Sequence, residues 1–217
     1  MAVPIIRRRL ARIIPPPSYR IHGVPADLKS AGALADSDPY QFQWWALDMI
    51  GAFPVNSIIP MGREGKKGGD KGIDGVIRFK ERPEDQSSQR IVVSVKAGKN
   101  LTPAMVRDLR GTIERERAPI GVMLLMHEPS AQMRTEAANA GKYRMEGSGR
   151  ECDRIQILTV EDLFKKKRVE FPGYDVTEEE VAKSGQLSLF DSSGVRKAAK
   201  PVSVSASTES KTQRGHS

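Results

Sequence analysis

Residues 72–96 read GIDGVIRFKERPEDQSSQRIVVSVK, and this stretch decides the fold. Its two ends, DGVIRFK and RIVVSVK, are rich in β-branched residues, while the middle, PEDQSSQ, is polar and turn-forming. Two such runs joined by such a loop predict a β-hairpin. Downstream the pattern alternates. Thr102 is placed to cap a helix that opens with Pro103 at its first position and runs to about Arg117. IGVMLLM (120–126) is apolar throughout and predicts a short buried strand, and SAQMRTEAANAG (130–141) predicts a helix stopped by Gly141. RIQILTV (154–160) predicts another strand, followed by VEDLFKKK (160–167), a helix with acid early and base late as its dipole favours. A hairpin followed by alternating helices and strands predicts an α/β domain whose mixed sheet has a central hairpin flanked by helices.

Upstream, Phe42, Trp45, Ala46, Met49 and Ile50 recur at helical spacing between Tyr40 and Gly51, which predicts an amphipathic helix ended by the glycine. An extended stretch, VNSIIPM (55–61), and a glycine-rich segment, GREGKKGGDKGIDG (62–75), lead into the hairpin. The domain is therefore placed at 40–172. A basic, proline-containing leader or linker occupies 1–39, and a tail over 173–217 loses periodicity, fills with Ser, Thr, Ala and Lys, and reads as mostly disordered.

Lys and Arg number 35 against 27 Asp and Glu, a formal net charge of +8, which favours an acidic partner such as nucleic acid or an anionic membrane surface. No apolar run approaches the roughly 20 residues that span a bilayer, so no membrane association is expected. The single cysteine, Cys152, excludes an internal disulfide framework and a cysteine-based zinc site, which suits a cytoplasmic protein.

The residues that carry chemistry lie at one end of the hairpin. Asp74 opens the first strand and Lys96 closes the second, so antiparallel pairing brings the two to the same end. A carboxylate there can hold Mg²⁺ or Mn²⁺ through hard oxygen contacts. The metal would polarise a phosphoryl oxygen while the lysine orients water or offsets developing charge. The plain alternative is turn chemistry at Asp74-Gly75 and a solvated lysine at a strand end.

GGDKGIDGVIRF followed by IVVSVKAGK, with QFQWWALDMIGAFPV before them, resembles the Mrr-like branch of the PD-(D/E)XK restriction endonucleases. More narrowly, the chain is similar to the endonuclease-like segment at the C-terminal end of some bacterial site-specific DNA adenine methyltransferases. The likeness continues through MVRDLRGTIERERAPIGVMLL, PSAQMRTEAANAG and RIQILTVEDLF. It implies that Asp74 is the metal-binding acid and Lys96 the catalytic lysine. The position two before the lysine, normally Glu, Asp or Gln, is Ser94, and the acid often found on the preceding helix falls near Gln43. Both are uncharged, so they rank as polar contributors. The metal shell would then draw on the Val95 carbonyl, Asp70, Glu64, water or the scissile phosphate.

Lys66, Lys67, Lys71 and Lys99 surround this place as expected phosphate contacts. The implied partners are DNA, a methyltransferase subunit and, by analogy, a second copy of the chain. Two functions follow. One is Mg²⁺-dependent phosphodiester hydrolysis in a restriction-modification or DNA-processing system. The other is a non-catalytic DNA-recognition or interaction module split from an adenine methyltransferase. In the tail, GQLSLFD (185–191) sets large apolar side chains where nothing nearby buries them. Gln186, Leu187, Leu189 and Phe190 resemble the bacterial sliding-clamp-binding pentapeptide, which implies the clamp as a further partner.

Overall fold

The computed structural model describes residues 23–55, 72–145 and 148–176. The expected mixed α/β architecture is present. Helices α1 (Leu28–Ser37) and α2 (Pro39–Met49) lead into a short strand β1 (Phe53–Pro54) and the hairpin β2 (Gly75–Lys80) and β3 (Gln89–Lys96). Helix α3 (Pro103–Arg115), strand β4 (Ile120–Leu125) and helix α4 (Ala131–Ala138) follow. A small hairpin, β5 (Lys142–Arg144) and β6 (Glu151–Asp153), precedes β7 (Ile155–Thr159), α5 (Val160–Phe164) and β8 (Tyr174–Asp175).

The main sheet runs β1-β2-β3-β4-β7, with β8 added to the outer edge of β2. β2 and β3 pair antiparallel with Gly75 opposite Val93, whereas β3, β4 and β7 are parallel. Strand alternation splits the core into two layers. Ile77, Phe79, Ile91, Val93, Val122 and Leu124 pack with Phe42, Ala46 and Leu47 of α2 and with Ala31 and Ala35 of α1. On the opposite face, Val76, Val92, Met123 and Leu125 pack with Leu109 and Ile113 of α3 and Met133 of α4. Coverage on both faces is why β4 is apolar at every position.

Helix α1 lies within the stretch read as leader. Its start is a capping box in which the Asp27 carboxylate accepts from the Ser30 amide and the Ser30 hydroxyl faces the Asp27 backbone. Its small residues hid it, since alanines at i and i+4 carry little hydrophobic signal. Thr102 departs from expectation: it has extended N-cap geometry but makes no side-chain cap bond. The Met105 amide, which such a bond would serve, donates instead to the Thr102 carbonyl at 3.1 Å.

Beyond α5 the chain doubles back along β7. Lys166 takes a left-handed conformation (φ 65°), and the Lys167 amide donates to the Asp162 carbonyl. The returning strap is tied down by the buried Gln156 side chain. Its Oε1 accepts from the Glu170 amide at 2.8 Å and its Nε2 donates to the Glu170 carbonyl at 2.6 Å. The amide side chain thus pairs with the strap as another peptide group would.

Cys152 on β6 is buried, and burial followed by the neighbouring Asp153 and Glu170 charges pushes its thiol up to about 11. From an ordinary value of 9.0 this leaves about a hundredfold less thiolate near pH 8. Alkylation by iodoacetamide in the folded protein is expected to be slower than in the urea-unfolded chain by at least that factor. Comparable rates would show that the β5–β6 hairpin opens readily.

Candidate functional site

The site is assembled at the open end of the hairpin. Asp74 immediately precedes β2, and its backbone is fixed on two sides. Its amide donates to the Val93 carbonyl at 2.9 Å, and its carbonyl accepts from the Val55 amide at 3.1 Å. Helix α2 reaches the same point because of how it ends. Gly51 adopts φ 70°, the Ala52 amide returns to the Leu47 carbonyl, and the chain turns directly into β1 against β2. Gly75 allows this close approach, because a β-carbon there would stand 2.5 Å from Leu47 Cδ2 and 3.2 Å from the Phe53 carbonyl oxygen. The glycine after Asp74 therefore serves packing of α2.

This geometry brings three of the four catalytic candidates together. The Gln43 amide donates to Asp74 Oδ1 at 2.9 Å. Asp74 Oδ2 accepts from the Val95 amide at 2.7 Å and from the Ser94 hydroxyl at 3.3 Å. Gln43, Asp74 and Val95 are half-buried and Ser94 is buried, so these bonds are shielded from water. The carboxylate joins α2, the start of β2 and the end of β3.

Lys96 stands two residues past Ser94 and so projects from the same face of β3. It is half-buried, and no ion pair joins it to Asp74 or to any other carboxylate among the described residues. Lys99 is exposed in the following turn. Lys66, Lys67, Lys71, Glu64 and Asp70 lie outside the described residues, as do Gln186, Leu187, Leu189 and Phe190. The exposed arginines of α3 are partly engaged, Arg107 with Glu136 of α4 at 2.6 Å and Arg110 with Glu114 at 3.3 Å.

Whether these residues suit a divalent cation follows from their donor set. Mg²⁺ takes about six oxygen ligands at ~2.1 Å and tolerates little distortion. The described part of the site offers one carboxylate and the Val95 carbonyl, which points to the β2 side together with the Val95 amide. Both carboxylate oxygens already accept hydrogen bonds from N–H donors, which offset the negative charge that a cation would need. The described residues do not fit a magnesium site.

Residues 60–165, just under half of the chain, match the model of a family described as NACHT-associated inactive Restriction Endonuclease 1. The domain is restriction-endonuclease-like. No curated protein and no solved structure matches the chain. The matched residues run from before Asp74 through β7 into α5, so they include the hairpin end and exclude α1 and α2. Within this restriction-endonuclease-like domain, sequence reading found Asp74, Ser94, Lys96 and Gln43 but not what joins them. The Gln43–Asp74 bond spans 31 residues of sequence, and a glutamine on a helix face carries no signal of its distant acceptor.

Proposed function

We propose that this restriction-endonuclease-like domain is a non-catalytic DNA-binding module in which the former catalytic carboxylate has become a structural tie. The observation that carries this reading is the Asp74 carboxylate, held by the Gln43 amide, the Ser94 hydroxyl and the Val95 amide. The two positions where such nucleases carry further acids hold instead an amide and a hydroxyl that donate to the remaining one. The word inactive in the printed description of the matching family supports the same side. DNA as the partner rests on the +8 charge and on Lys96, which has no ion-pair partner among the described residues at the hairpin end. The finer parts of the reading are descent from the Mrr-like PD-(D/E)XK branch, a cytoplasmic setting, and action beside a DNA adenine methyltransferase. They rest on the GIDG and VSVK motifs and on the single cysteine.

The test combines binding and cleavage. Duplex DNA is expected to bind with an affinity that falls steeply as salt rises, and Lys96→Gln is expected to lower the log–log salt slope by about one. Supercoiled plasmid, methylated or not, is expected to survive with Mg²⁺ or Mn²⁺. Nicking that both Asp74→Ala and Lys96→Ala abolish would overturn the non-catalytic reading and establish the hydrolase. Absence of DNA binding at low salt would overturn the partner.

The tail motif supports a second contact, with the bacterial sliding clamp through Gln186, Leu187, Leu189 and Phe190. A few apolar anchors on a linear segment suffice for such binding. Leu189→Ala with Phe190→Ala is expected to weaken binding to purified clamp by about tenfold or more. Binding that does not change, or no binding by the parent chain, ends this proposal.

A further inference from the structure

Helix α2 carries two aromatic side chains that neither the core nor the Asp74 tie uses. Tyr40, Gln43, Trp44 and Leu47 follow the i, i+3, i+4, i+7 spacing that sets residues on one stripe of a helix. Two members of the stripe face the hairpin end: Gln43 donates to Asp74, and Leu47 packs so closely on Gly75 that a β-carbon there would stand 2.5 Å from its Cδ2. Tyr40 and Trp44 therefore lie on the flank of α2 that borders the site. Tyr40 is 67% exposed, and Trp44 is half-buried but packs into neither core layer among the described residues. The adjacent Trp45 differs, since it lies on the other flank with its ring 5.8 Å from that of Phe42 and 6.1 Å from that of Phe164.

Three features select what this flank takes. Tyr40 and Trp44 make no ring contact with each other or with another aromatic side chain among the described residues, so no other ring takes their faces. The lysines of the site are close by: Gln43 immediately precedes Trp44, Val95 immediately precedes Lys96, and both donate to the one Asp74 carboxylate. Charge is divided between the two sides, with Lys96 and Lys99 at the strand end and Asp38 and Asp48 on the helix side. A polyanion laid along α2 would meet the carboxylates. Turned so that its phosphates meet the lysines, it sets its bases toward the rings. In a duplex the base faces are covered by their neighbours, so only an unpaired base can present one.

We infer that the flank of α2 beside Asp74 is a stacking site for unpaired bases of single-stranded DNA, with Trp44 and Tyr40 against base faces and Lys96 and Lys99 against backbone phosphates. The inference rests on the DNA-binding reading and names the form of DNA that the module prefers. Every base has a π-face, so the preference is for unpaired structure and not for a sequence.

The test is fluorescence anisotropy of the full chain, at one low salt concentration, with three labelled probes of about 20 nucleotides. They are an oligothymidine single strand, an abasic strand that keeps the phosphates and lacks the bases, and an adenine–thymine duplex. The oligothymidine is expected to bind about tenfold tighter than either of the others. Tyr40→Ala with Trp44→Ala is expected to weaken single-strand binding by about tenfold or more and to abolish that preference, while Trp44→Phe, which keeps a ring, retains most of it. Tyr40→Ala alone removes an exposed ring, so part of the loss at the parent's thermal midpoint separates stacking from unfolding. Binding of the oligothymidine no tighter than that of the abasic strand or the duplex, or a double variant that binds like the parent, overturns the stacking site and leaves the DNA-binding reading standing. Failure of all three probes to bind overturns the two together.

Discussion

Asp74→Ala is expected to destabilise the domain by about 2 to 3 kcal/mol and to lower its thermal midpoint by roughly 5 to 10 °C. The removed carboxylate accepts from the Gln43 amide, the Val95 amide and the Ser94 hydroxyl, and truncation leaves these half-buried or buried donors without it. A buried donor left unmade costs more than the bond itself contributed. Gln43→Ala removes only one of the three bonds and is expected to cost about 1 kcal/mol. A nuclease would give the opposite pattern. Carboxylates gathered to hold a metal repel one another, so removing one leaves stability unchanged or raises it while activity disappears. Thermal melting of Asp74→Ala in EDTA therefore separates the two cases: a midpoint at or above that of the parent would refute the structural tie.

Phe79→Ala is expected to cost more, about 3 to 5 kcal/mol. Phe79 is fully buried on β2, and its ring lies 5.2 Å from that of Phe171 in the strap and 6.1 Å from that of Tyr143 in the β5–β6 hairpin. Tyr143 in turn donates its hydroxyl to Glu81. One side chain thus holds the central hairpin, the small hairpin and the returning strap, and its loss opens a cavity that three separate segments would have to fill. Beside it Gly173 lies so close to β2 that a β-carbon would stand 2.3 Å from the Lys80 carbonyl oxygen. The strap has no room to move inward and close the space. Urea unfolding is the measurement, with Phe79→Leu expected to retain most of the stability and to lose about 1 kcal/mol. A loss below 1 kcal/mol in Phe79→Ala would show that the strap and small hairpin are not packed on β2 as described.

Much of the domain is readable from local sequence. The hairpin announces itself because β-branched runs flank a polar loop, and β4 because it is apolar throughout. Helices α2 and α4 follow from apolar spacing and their terminal glycines, Gly51 and Gly141. The elements that escaped are those whose stability is borrowed. Helix α1 fully buries only alanines, with Leu34 packed beside them. The β5 and β6 strands, Lys142–Arg144 and Glu151–Asp153, are three residues each and almost wholly polar, so neither shows a period. The two residues of β8 become a strand only because Phe79 and Lys80 offer them an edge.

The sequence by itself determined the alternation of strands and helices, the positive charge, and the meeting of Asp74 and Lys96 at one end of the hairpin, since each depends on residue order within a few turns or strands. Only the tertiary structure decided what Asp74 does there. Gln43 reaches it from a helix 31 residues away, and whether a carboxylate receives hydrogen-bond donors or faces open space depends on how separate elements close upon one another.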